Sequence, residues 1–310
     1  MPEIKITEGI VLVKKIVNVP VATLWTSPEA PRPLDEPVLG NPIELDAWLE
    51  KMTYEERLAL CDDNLVQSQA LYGTAVEVLE EKGDWAEVII LDQPSKKDGR
   101  GYPGWMPRKQ LQESDLMEST GPVAVVNQPK AFLYDASGKK VLEISYQTRL
   151  PLVEENETWV KVKTPDGTGN LKRADVILER PNERKSISGA DIIQSGEQFL
   201  GLPYLWGGMS GFGYDCSGFA YMMHRSVGLI IPRDAGDQAH SGKWVEADER
   251  VPGDLMFFAY EKGKGALHHV AIYYGDGKMM HAPNTGKSVE IISMAGTIYE
   301  EEYWGARRYW

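Results

Sequence analysis

The sequence predicts an α+β protein in which two small antiparallel β-barrels precede one larger domain of helices and a meandering sheet. Three observations support this fold class. The N-terminal half contains a weak internal repeat of short strand-like segments. A polar stretch rich in turn-forming residues separates that half from the rest of the chain. The remaining segment begins with two helical patterns and continues in short apolar runs divided by Gly-containing turns.

The length and composition limit which classes of protein are possible. At 310 residues with 42% apolar residues, the chain is long enough for two or three domains with real cores. Its formal charge of −13 and the lack of a basic patch argue against nucleic-acid partners and against binding at a membrane surface. No apolar run reaches the roughly 18 residues of a membrane helix, so we expect no membrane insertion.

The start of the chain, residues 1–9, lacks the basic-then-apolar pattern of a signal peptide. We therefore expect either an extracytoplasmic or cell-envelope protein whose signal has been removed, or a cytoplasmic one. The two cysteines lie far apart in different settings, which argues against a disulfide framework. With two thiols and five histidines, we expect no metal site and no organic cofactor.

The internal repeat aligns residues 72–88 with residues 146–162. Each copy begins at a Tyr and reaches a Trp at the same spacing, and each contains the alternation typical of half-buried strands. The pattern resembles bacterial SH3-like domains. It predicts a first barrel over residues 1–120 and a second over residues 121–180.

The first barrel contains additional segments. Residues 43–60 show helical spacing of apolar residues, which predicts a helical insertion, and Cys61 at its end is interpreted as a small buried apolar side chain. The loop of residues 96–105 carries aromatic residues, including Tyr102. If this loop contacts the catalytic cleft, the barrel shapes specificity; if it faces away, the barrel is an adhesion module. A simpler alternative is that the insertion packs only against its own barrel.

A linker is predicted between Glu179 and Ser188, and the catalytic domain is assigned to residues 181–310. A capped helix follows from Ser188 to Gly201. A glycine-rich loop then leads into a second helix that begins at Cys216. A thiol at a helix N-terminus lies near the positive end of the dipole, so we expect its pKa to fall. The free N–H groups there could also bind the oxyanion of an acyl-transfer intermediate.

The general base should be a histidine on a separate rigid element. His269 begins a strand-like run, and His281 ends the next one, where it could fix the tautomer of the first imidazole. His268, the neighbour of His269, is the alternative base. Because strand alternation sends neighbouring side chains to opposite faces, only one of the two can face the cysteine. His224 and His240 are interpreted as structural residues.

Five short motifs together resemble the NlpC family of cell-wall cysteine peptidases. They are Leu202-Pro-Tyr-Leu-Trp-Gly-Gly, Asp215-Cys-Ser-Gly, Gly253-Asp-Leu, His268-His-Val-Ala-Ile-Tyr and His281-Ala-Pro. The resemblance covers about residues 190–310. It implies a papain-like core and a catalytic triad of Cys216, His269 and His281, and it favours His269 over His268.

The SH3-like pair strengthens the likeness to the γ-D-glutamyl-L-diamino acid endopeptidases of bacilli. The resemblance implies hydrolysis of the γ-D-glutamyl–diamino acid bond in peptidoglycan stem peptides. Tyr204 and Trp206 would line the cleft, with Tyr204 adding a phenolic O–H to the oxyanion site, and core packing is the alternative for Trp206. Asp215 would raise the pKa of the thiol unless it is paired, and a cationic substrate group is one fitting partner.

Further residues are placed within reach of the substrate. Ser217 is either a substrate contact or a helix cap, and Arg233 and Asp234 are either substrate contacts or a loop ion pair. Tyr102 is expected to help close one end of the cleft, and Asp215, Glu55 or Glu56 to neutralise a substrate ammonium. We therefore expect released peptides with a free N-terminal L-Ala as substrates. The alternatives are a hydrolase of intact wall, and a scaffold or acyltransferase of the same fold.

Overall fold

The computed structural model describes residues 13–114, 116, 120–181, 183 and 186–310. The N-terminal segment considered for a signal lies outside the described residues, as do three positions of the predicted linker. The described chain forms two antiparallel β-domains followed by an α+β domain, so the predicted fold class is confirmed. Within these described ranges, no helix is long and apolar enough to cross a membrane.

The first β-domain is a seven-stranded antiparallel sheet with the order β3-β2-β6-β5-β4-β1-β7. Its strands are β1 (Val13–Val17), β2 (Val21–Trp25), β3 (Val66–Leu71), β4 (Ala75–Lys82), β5 (Trp85–Ile90), β6 (Tyr102–Pro107) and β7 (Leu111–Gln112). The predicted insertion lies between β2 and β3 and forms α1 (Leu45–Lys51) and α2 (Tyr54–Asp62). Thr53 and Glu56 form a capping box that fixes where α2 begins.

The second β-domain repeats this architecture with the order β10-β9-β13-β12-β11-β8-β14. Its strands are β8 (Val123–Val126), β9 (Lys130–Tyr134), β10 (Lys140–Ser145), β11 (Arg149–Glu155), β12 (Trp159–Thr164), β13 (Gly167–Lys172) and β14 (Val176–Glu179). The repeated tyrosines both reach into the next domain. Tyr72 packs in the core of the second barrel, and Tyr146 packs edge-on against Phe199 of the C-terminal domain. The repeat therefore helps to join the domains.

The C-terminal domain packs helices against a six-stranded antiparallel sheet with the order β17-β22-β18-β19-β20-β21. Its helices are α3 (Gly189–Glu197), α4 (Cys216–Ser226), α5 (Ala235–Ala239), α6 (Tyr260–Gly263) and α7 (Ile298–Glu301). Its strands are β15 (Met209–Ser210), β16 (Gly213–Tyr214), β17 (Lys243–Val245), β18 (Leu255–Ala259), β19 (Leu267–Gly275), β20 (Lys278–His281), β21 (Glu290–Ser293) and β22 (Tyr303–Arg308). The strands β18 to β21 form the predicted meander. The C-terminal strand β22 departs from it and inserts between β17 and β18.

The hydrophobic core is continuous between the first barrel and the C-terminal domain. Trp48 and Leu60 of the insertion belong to the same buried cluster as Leu205, Tyr214 and Phe219. The alternative that the insertion packs only against its own barrel is therefore wrong. Because large side chains of both domains are buried in this one cluster, the first barrel packs beside α4.

Candidate active site

The N-terminus of α4 places Cys216 at the bottom of a cleft. Asp215 is the N-cap residue, and its Oδ1 accepts a hydrogen bond from the Gly218 N–H at 2.6 Å. The loop before α4 passes so close that a Cβ on Gly218 would lie 2.1 Å from the Gly208 carbonyl oxygen. Glycine is therefore required at this position, and the close contact fixes where the helix begins relative to the loop.

Asp215 is held by a buried ion pair. Arg233 Nη2 lies 2.7 Å from Asp215 Oδ2, and the two side chains are 1% and 8% exposed. Arg233 Nη1 also donates to Ser217 Oγ at 2.9 Å, and Nε donates to Ser68 Oγ at 3.0 Å. The two carboxylate oxygens and the guanidinium form a fork arrangement that carries high geometric specificity.

This network corrects three expectations. Asp215 neutralises Arg233, so its carboxylate is not free for a substrate ammonium. Arg233 pairs with Asp215 and not with Asp234, and α4 is capped by Asp215 and not by Ser217. No sequence pattern indicates this pairing, because Asp215 and Arg233 come together only through the packing of α4 against the loop before α5.

Two histidines on neighbouring strands lie side by side next to the cleft. His269 on β19 and His281 on β20 are 4% and 1% exposed, and His269 Nε2 lies 2.8 Å from His281 Nδ1. His269 lines the same cleft as Cys216. The structure thus brings together Cys216, His269 and His281.

His268 lines the same cleft but does not join the histidine pair. Its ring stacks on Tyr260 with 4.1 Å between the centroids, and its Nε2 lies 3.0 Å from Glu302 Oε2. The other two histidines also serve packing: His224 Nδ1 contacts the Ala220 carbonyl at 2.8 Å, and His240 Nδ1 contacts the Gly236 carbonyl at 2.7 Å. The structure therefore agrees with the interpretation of His224 and His240 as structural residues.

Burial keeps the imidazoles neutral. It lowers the pKa of His269 well below 6.5, and the neighbouring His281 and His268 lower it further. Burial also lowers the pKa of His281 to about 3, with Lys287 as a second cause. Near pH 7, the pair therefore carries no charge, and one nitrogen of each ring is a donor while the other is an acceptor.

The expected fall in the thiol pKa is wrong. Desolvation raises the pKa of Cys216 to about 12, and the carboxylate of Asp215 adds to this rise. The N–H groups of Val270 and Ser217 and the charge of Arg233 act in the opposite direction without reversing it. The resting site is thus a neutral thiol beside a neutral imidazole, since desolvation disfavours the charged form of both groups.

The cleft has a volume of about 410 Å³ and is lined from two domains. Tyr204 and Trp206 line it, as expected, and the Trp206 Nε1–H donates to the Val66 carbonyl at 3.0 Å. Burial raises the pKa of Tyr204 well above 10.0, and Cys216 contributes to the rise. The Tyr204 phenol therefore stays protonated and can donate its O–H beside the Cys216 sulfur.

The interpretation of Cys61 as a core residue is wrong. Cys61 is partly exposed and lines the cleft together with Tyr54 and Leu58 of the same helix. Burial raises its pKa, with Asp62 and Asp215 as further causes, so it is a protonated thiol. The spacing of Tyr54, Leu58 and Cys61 places them on one face of α2, and this spacing was the signal available in the sequence. Glu55 and Glu56 do not line the cleft; Glu56 is engaged in the capping box.

The loop of residues 96–105 docks on the catalytic domain. The Tyr102 hydroxyl lies 3.0 Å from each carboxylate oxygen of Asp234. The Lys96 N–H donates to Asp237 Oδ2 at 2.9 Å, and the Arg233 N–H donates to the Pro94 carbonyl at 3.0 Å. The loop therefore does not face away from the catalytic domain, although none of its residues is among those that line the cleft.

Lys97 is a partner of Asp234 that no sequence pattern indicated. Its ammonium lies 3.5 Å from Asp234 Oδ2 and 4.2 Å from the centroid of the Tyr102 ring. It also donates to the Tyr102 oxygen and, at 2.6 Å, to Gln67 Oε1. An exposed lysine in a polar loop is common, so its type and position carried no signal of this role.

These features define a class of protein: a papain-like cysteine peptidase domain, with a thiol at a helix N-terminus, paired histidines on the facing sheet, and two SH3-like domains in front. Comparison with known proteins agrees with this class. Residues 201–308 match the NlpC/P60 family, residues 126–178 the YkfC SH3b2 domain and residues 62–111 the bacterial dipeptidyl-peptidase SH3 domain.

Two relatives match over nearly their whole length. One is the gamma-D-glutamyl-L-lysine dipeptidyl-peptidase of Bacillus subtilis (strain 168), 49% identical over 93% of this chain and 96% of the relative. The other is the Bacillus cereus (strain ATCC 10987) protein of the same name, 44% identical over 96% and 91%. The crystal structure of an NlpC/P60 family protein from Bacillus cereus ATCC 10987 has a TM-score of 0.92, with 44% identity over 96% of this chain and 99% of that one. This chain belongs to the NlpC/P60 family of cysteine peptidases, which confirms the predicted resemblance.

Proposed function

We propose that this protein hydrolyses the γ-D-glutamyl–diamino acid bond of peptidoglycan-derived peptides, and that it takes released peptides with a free N-terminal L-Ala. The observation that carries the second part is the Asp234 carboxylate, held by Tyr102 of the first barrel beside the nucleophile helix. Asp234 directly follows Arg233, whose guanidinium contacts the residues on either side of Cys216, so this carboxylate lies near the nucleophile loop.

The side chains around Cys216 support a two-step acyl transfer. His269 Nε2 is occupied by His281, which leaves His269 Nδ1 as the nitrogen that can accept the thiol proton. As this proton leaves, the Cys216 sulfur attacks the γ-carbonyl carbon of D-Glu. The tetrahedral oxyanion would be held by the Cys216 N–H in the first turn of α4 and by the Tyr204 O–H.

The intermediate then collapses to a thioester. His269 returns the proton to the leaving amine of the diamino acid, and the C–N bond breaks. In the second step, His269 takes a proton from water, the resulting hydroxide attacks the thioester, and the proton goes to the departing sulfur. The products are a dipeptide with a free γ-carboxylate and the remainder of the peptide with a new amino group.

Three features favour free peptides over intact wall. The α2 residues Tyr54, Leu58 and Cys61 form one wall of the cleft, and this wall limits the space for a polymeric substrate. Asp234 pairs with the ammonium of Lys97, and because the Lys97 side chain is 36% exposed, a substrate ammonium can displace it, unlike the buried Arg233 that holds Asp215. The names of the relatives also describe dipeptidyl-peptidases, enzymes that release two residues from a free amino terminus. We propose L-Lys or a related diamino acid at the next position.

The test compares kcat/KM for L-Ala-γ-D-Glu-L-Lys and its N-acetylated form. Acetylation removes a charge-assisted contact worth about 1.5–3 kcal/mol, so we expect a loss of roughly ten- to a hundredfold. Asp234→Asn should reduce cleavage of the free peptide and leave the acetylated one little changed. Asp248→Asn, at an exposed position away from the cleft, is the matched control.

Each outcome is informative. Equal kcat/KM for the two peptides would defeat the free-amine proposal. Failure to cleave either peptide at the γ-D-Glu–Lys bond, shown by mass spectrometry of the products, would defeat the proposed reaction itself.

A further inference from the structure

The imidazole of His281 has one ring nitrogen whose partner is unexplained. Nδ1 faces His269 at 2.8 Å, whereas the buried Nε2 makes no hydrogen bond to any described residue. His281 is 1% exposed, so an unsatisfied N–H at this position carries the full cost of its desolvation. A partner for Nε2 would remove that cost.

Glu290 is the group in place to supply this partner. Its Oε1 lies 3.4 Å from His281 Nε2, somewhat longer than a well-formed hydrogen bond. The strand register fixes this neighbourhood, because Glu290 on β21 is the direct cross-strand partner of His281 on β20. The Glu290 side chain is 40% exposed, so a small rotation can shorten the distance.

The tautomers connect this contact to the chemistry. For His269 Nδ1 to accept the thiol proton, His269 Nε2 must carry a hydrogen and donate it to His281 Nδ1. His281 Nδ1 is then an acceptor, which puts the hydrogen of His281 on Nε2, the atom that faces Glu290. The opposite tautomer of His281 would place two N–H groups against each other.

We propose that Glu290 is a positioning residue that accepts the His281 Nε2–H and so holds the histidine pair in the tautomer that leaves His269 Nδ1 free as the base. The proposal rests on the base role of His269 proposed above. Glu290 touches neither the sulfur nor the substrate, and it acts through two imidazoles. Its negative charge also favours the imidazolium that forms on His269 during thiol attack.

Other charged and titratable groups also lie around His281, and one of them opposes the effect of the Glu290 charge on the imidazole. Lys287 lowers the pKa of His281, and the ring of Tyr299 lies edge-on to His281 with 5.2 Å between the centroids. Burial raises the pKa of Tyr299 to about 12, with Glu290 as the next cause. Glu290 is thus the carboxylate that faces the imidazole, and Lys287 is the opposing cation.

The first test is kinetic. Loss of one hydrogen bond to a charged group should lower kcat of Glu290→Ala roughly tenfold with KM unchanged, whereas Glu290→Gln, which keeps an acceptor oxygen, should recover much of this loss. The acidic limb of the kcat–pH profile should also shift. Glu261→Gln, at an exposed position in α6, is the control, and circular dichroism verifies that each variant is folded.

The second test does not depend on turnover. Nitrogen-15 NMR of the imidazoles reports the tautomer directly, so we expect His281 in the Nε2–H form in the unmodified protein and a mixture of forms in Glu290→Ala. An unchanged kcat together with an unchanged tautomer would overturn the proposal, and so would an effect on KM alone. If Glu290→Ala shifts the tautomer of His281 but the unmodified protein cleaves no γ-D-glutamyl peptide, the role of Glu290 is supported. Only the proposed reaction is then contradicted.

Discussion

Replacing Arg233 with methionine removes the cation at the centre of the nucleophile network. Methionine fills a similar apolar volume but leaves Asp215 as a buried and unpaired carboxylate. The guanidinium is 1% exposed and donates to Asp215, to Ser217 and to Ser68 of the first barrel. Breaking a buried pair by removing one partner costs about 3–5 kcal/mol, because the remaining charge stays desolvated. We therefore expect the free energy of unfolding of Arg233→Met to fall by this amount.

The assay is urea unfolding followed by circular dichroism, with the double variant Arg233→Met/Asp215→Asn measured alongside. Asparagine is a good N-cap residue and carries no charge, so the double variant should lose less stability than Arg233→Met alone. The difference between the double variant and the sum of the single ones gives the coupling energy of the pair.

The control is Arg108→Met, which breaks a surface pair with Glu81 in which the side chains are 47% and 34% exposed. Pairs of this kind contribute about 0–1 kcal/mol. The reasoning is refuted if Arg233→Met loses no more stability than Arg108→Met, or if the double variant is less stable than both single ones combined.

Two further predictions concern the histidines and the thiol. Cys216→Ala and His269→Ala should each lower kcat by about 10⁴-fold or more while the fold persists. His281→Gln should keep part of the rate, because His281 orients the base without bonding to substrate. If kcat, measured with a defined tripeptide, falls equally in His281→Gln and Cys216→Ala, His281 is itself the base. Stability should fall with acidity, because burial lowers the pKa of His224 to about 4, that of His281 to about 3 and that of His269 well below 6.5. Unfolding frees these imidazoles to bind protons, so stability is full above about pH 6.5 and decreases as the pH falls towards 4, by up to about 1.4 kcal/mol per pH unit for each histidine. His224→Gln should reduce the slope in urea midpoints measured from pH 7 to pH 4, and an identical slope would contradict this explanation.

Much of the architecture could be predicted because its signals are local. The glycine-rich loop before Cys216, the apolar runs of β18 to β20 and the Tyr–Trp repeat each act within a short stretch of chain. The position of β22 could not be predicted in this way. Its pairing between β17 and β18 depends on contacts between strands far apart in sequence, and a meander is the simplest topology for consecutive short strands.

The catalytic residues could likewise be predicted from local signals, and their surroundings could not. The cysteine and the two histidines lie in short motifs, whereas their electrostatic surroundings come from other elements. The partner of Asp215 is Arg233, and the desolvation of the thiol comes from the packing of α4 against the sheet. A helix N-terminus alone predicts a lowered thiol pKa, and the burial that reverses the direction is visible only in three dimensions.

The first barrel supplies contacts that fix the catalytic loop itself, which distinguishes it from a wall-binding module on a tether. Val66 accepts the Trp206 Nε1–H at 3.0 Å, and Gln69 Oε1 accepts the Met209 N–H at 3.0 Å. Ser68 accepts from Arg233, whose other nitrogens hold the residues on either side of Cys216. All three acceptors lie on β3, directly after the helical insertion that lines the cleft. Because buried polar groups need these partners, the barrel and the catalytic domain form one structural unit around the thiol, and a change in β3 would alter the reaction as well as specificity.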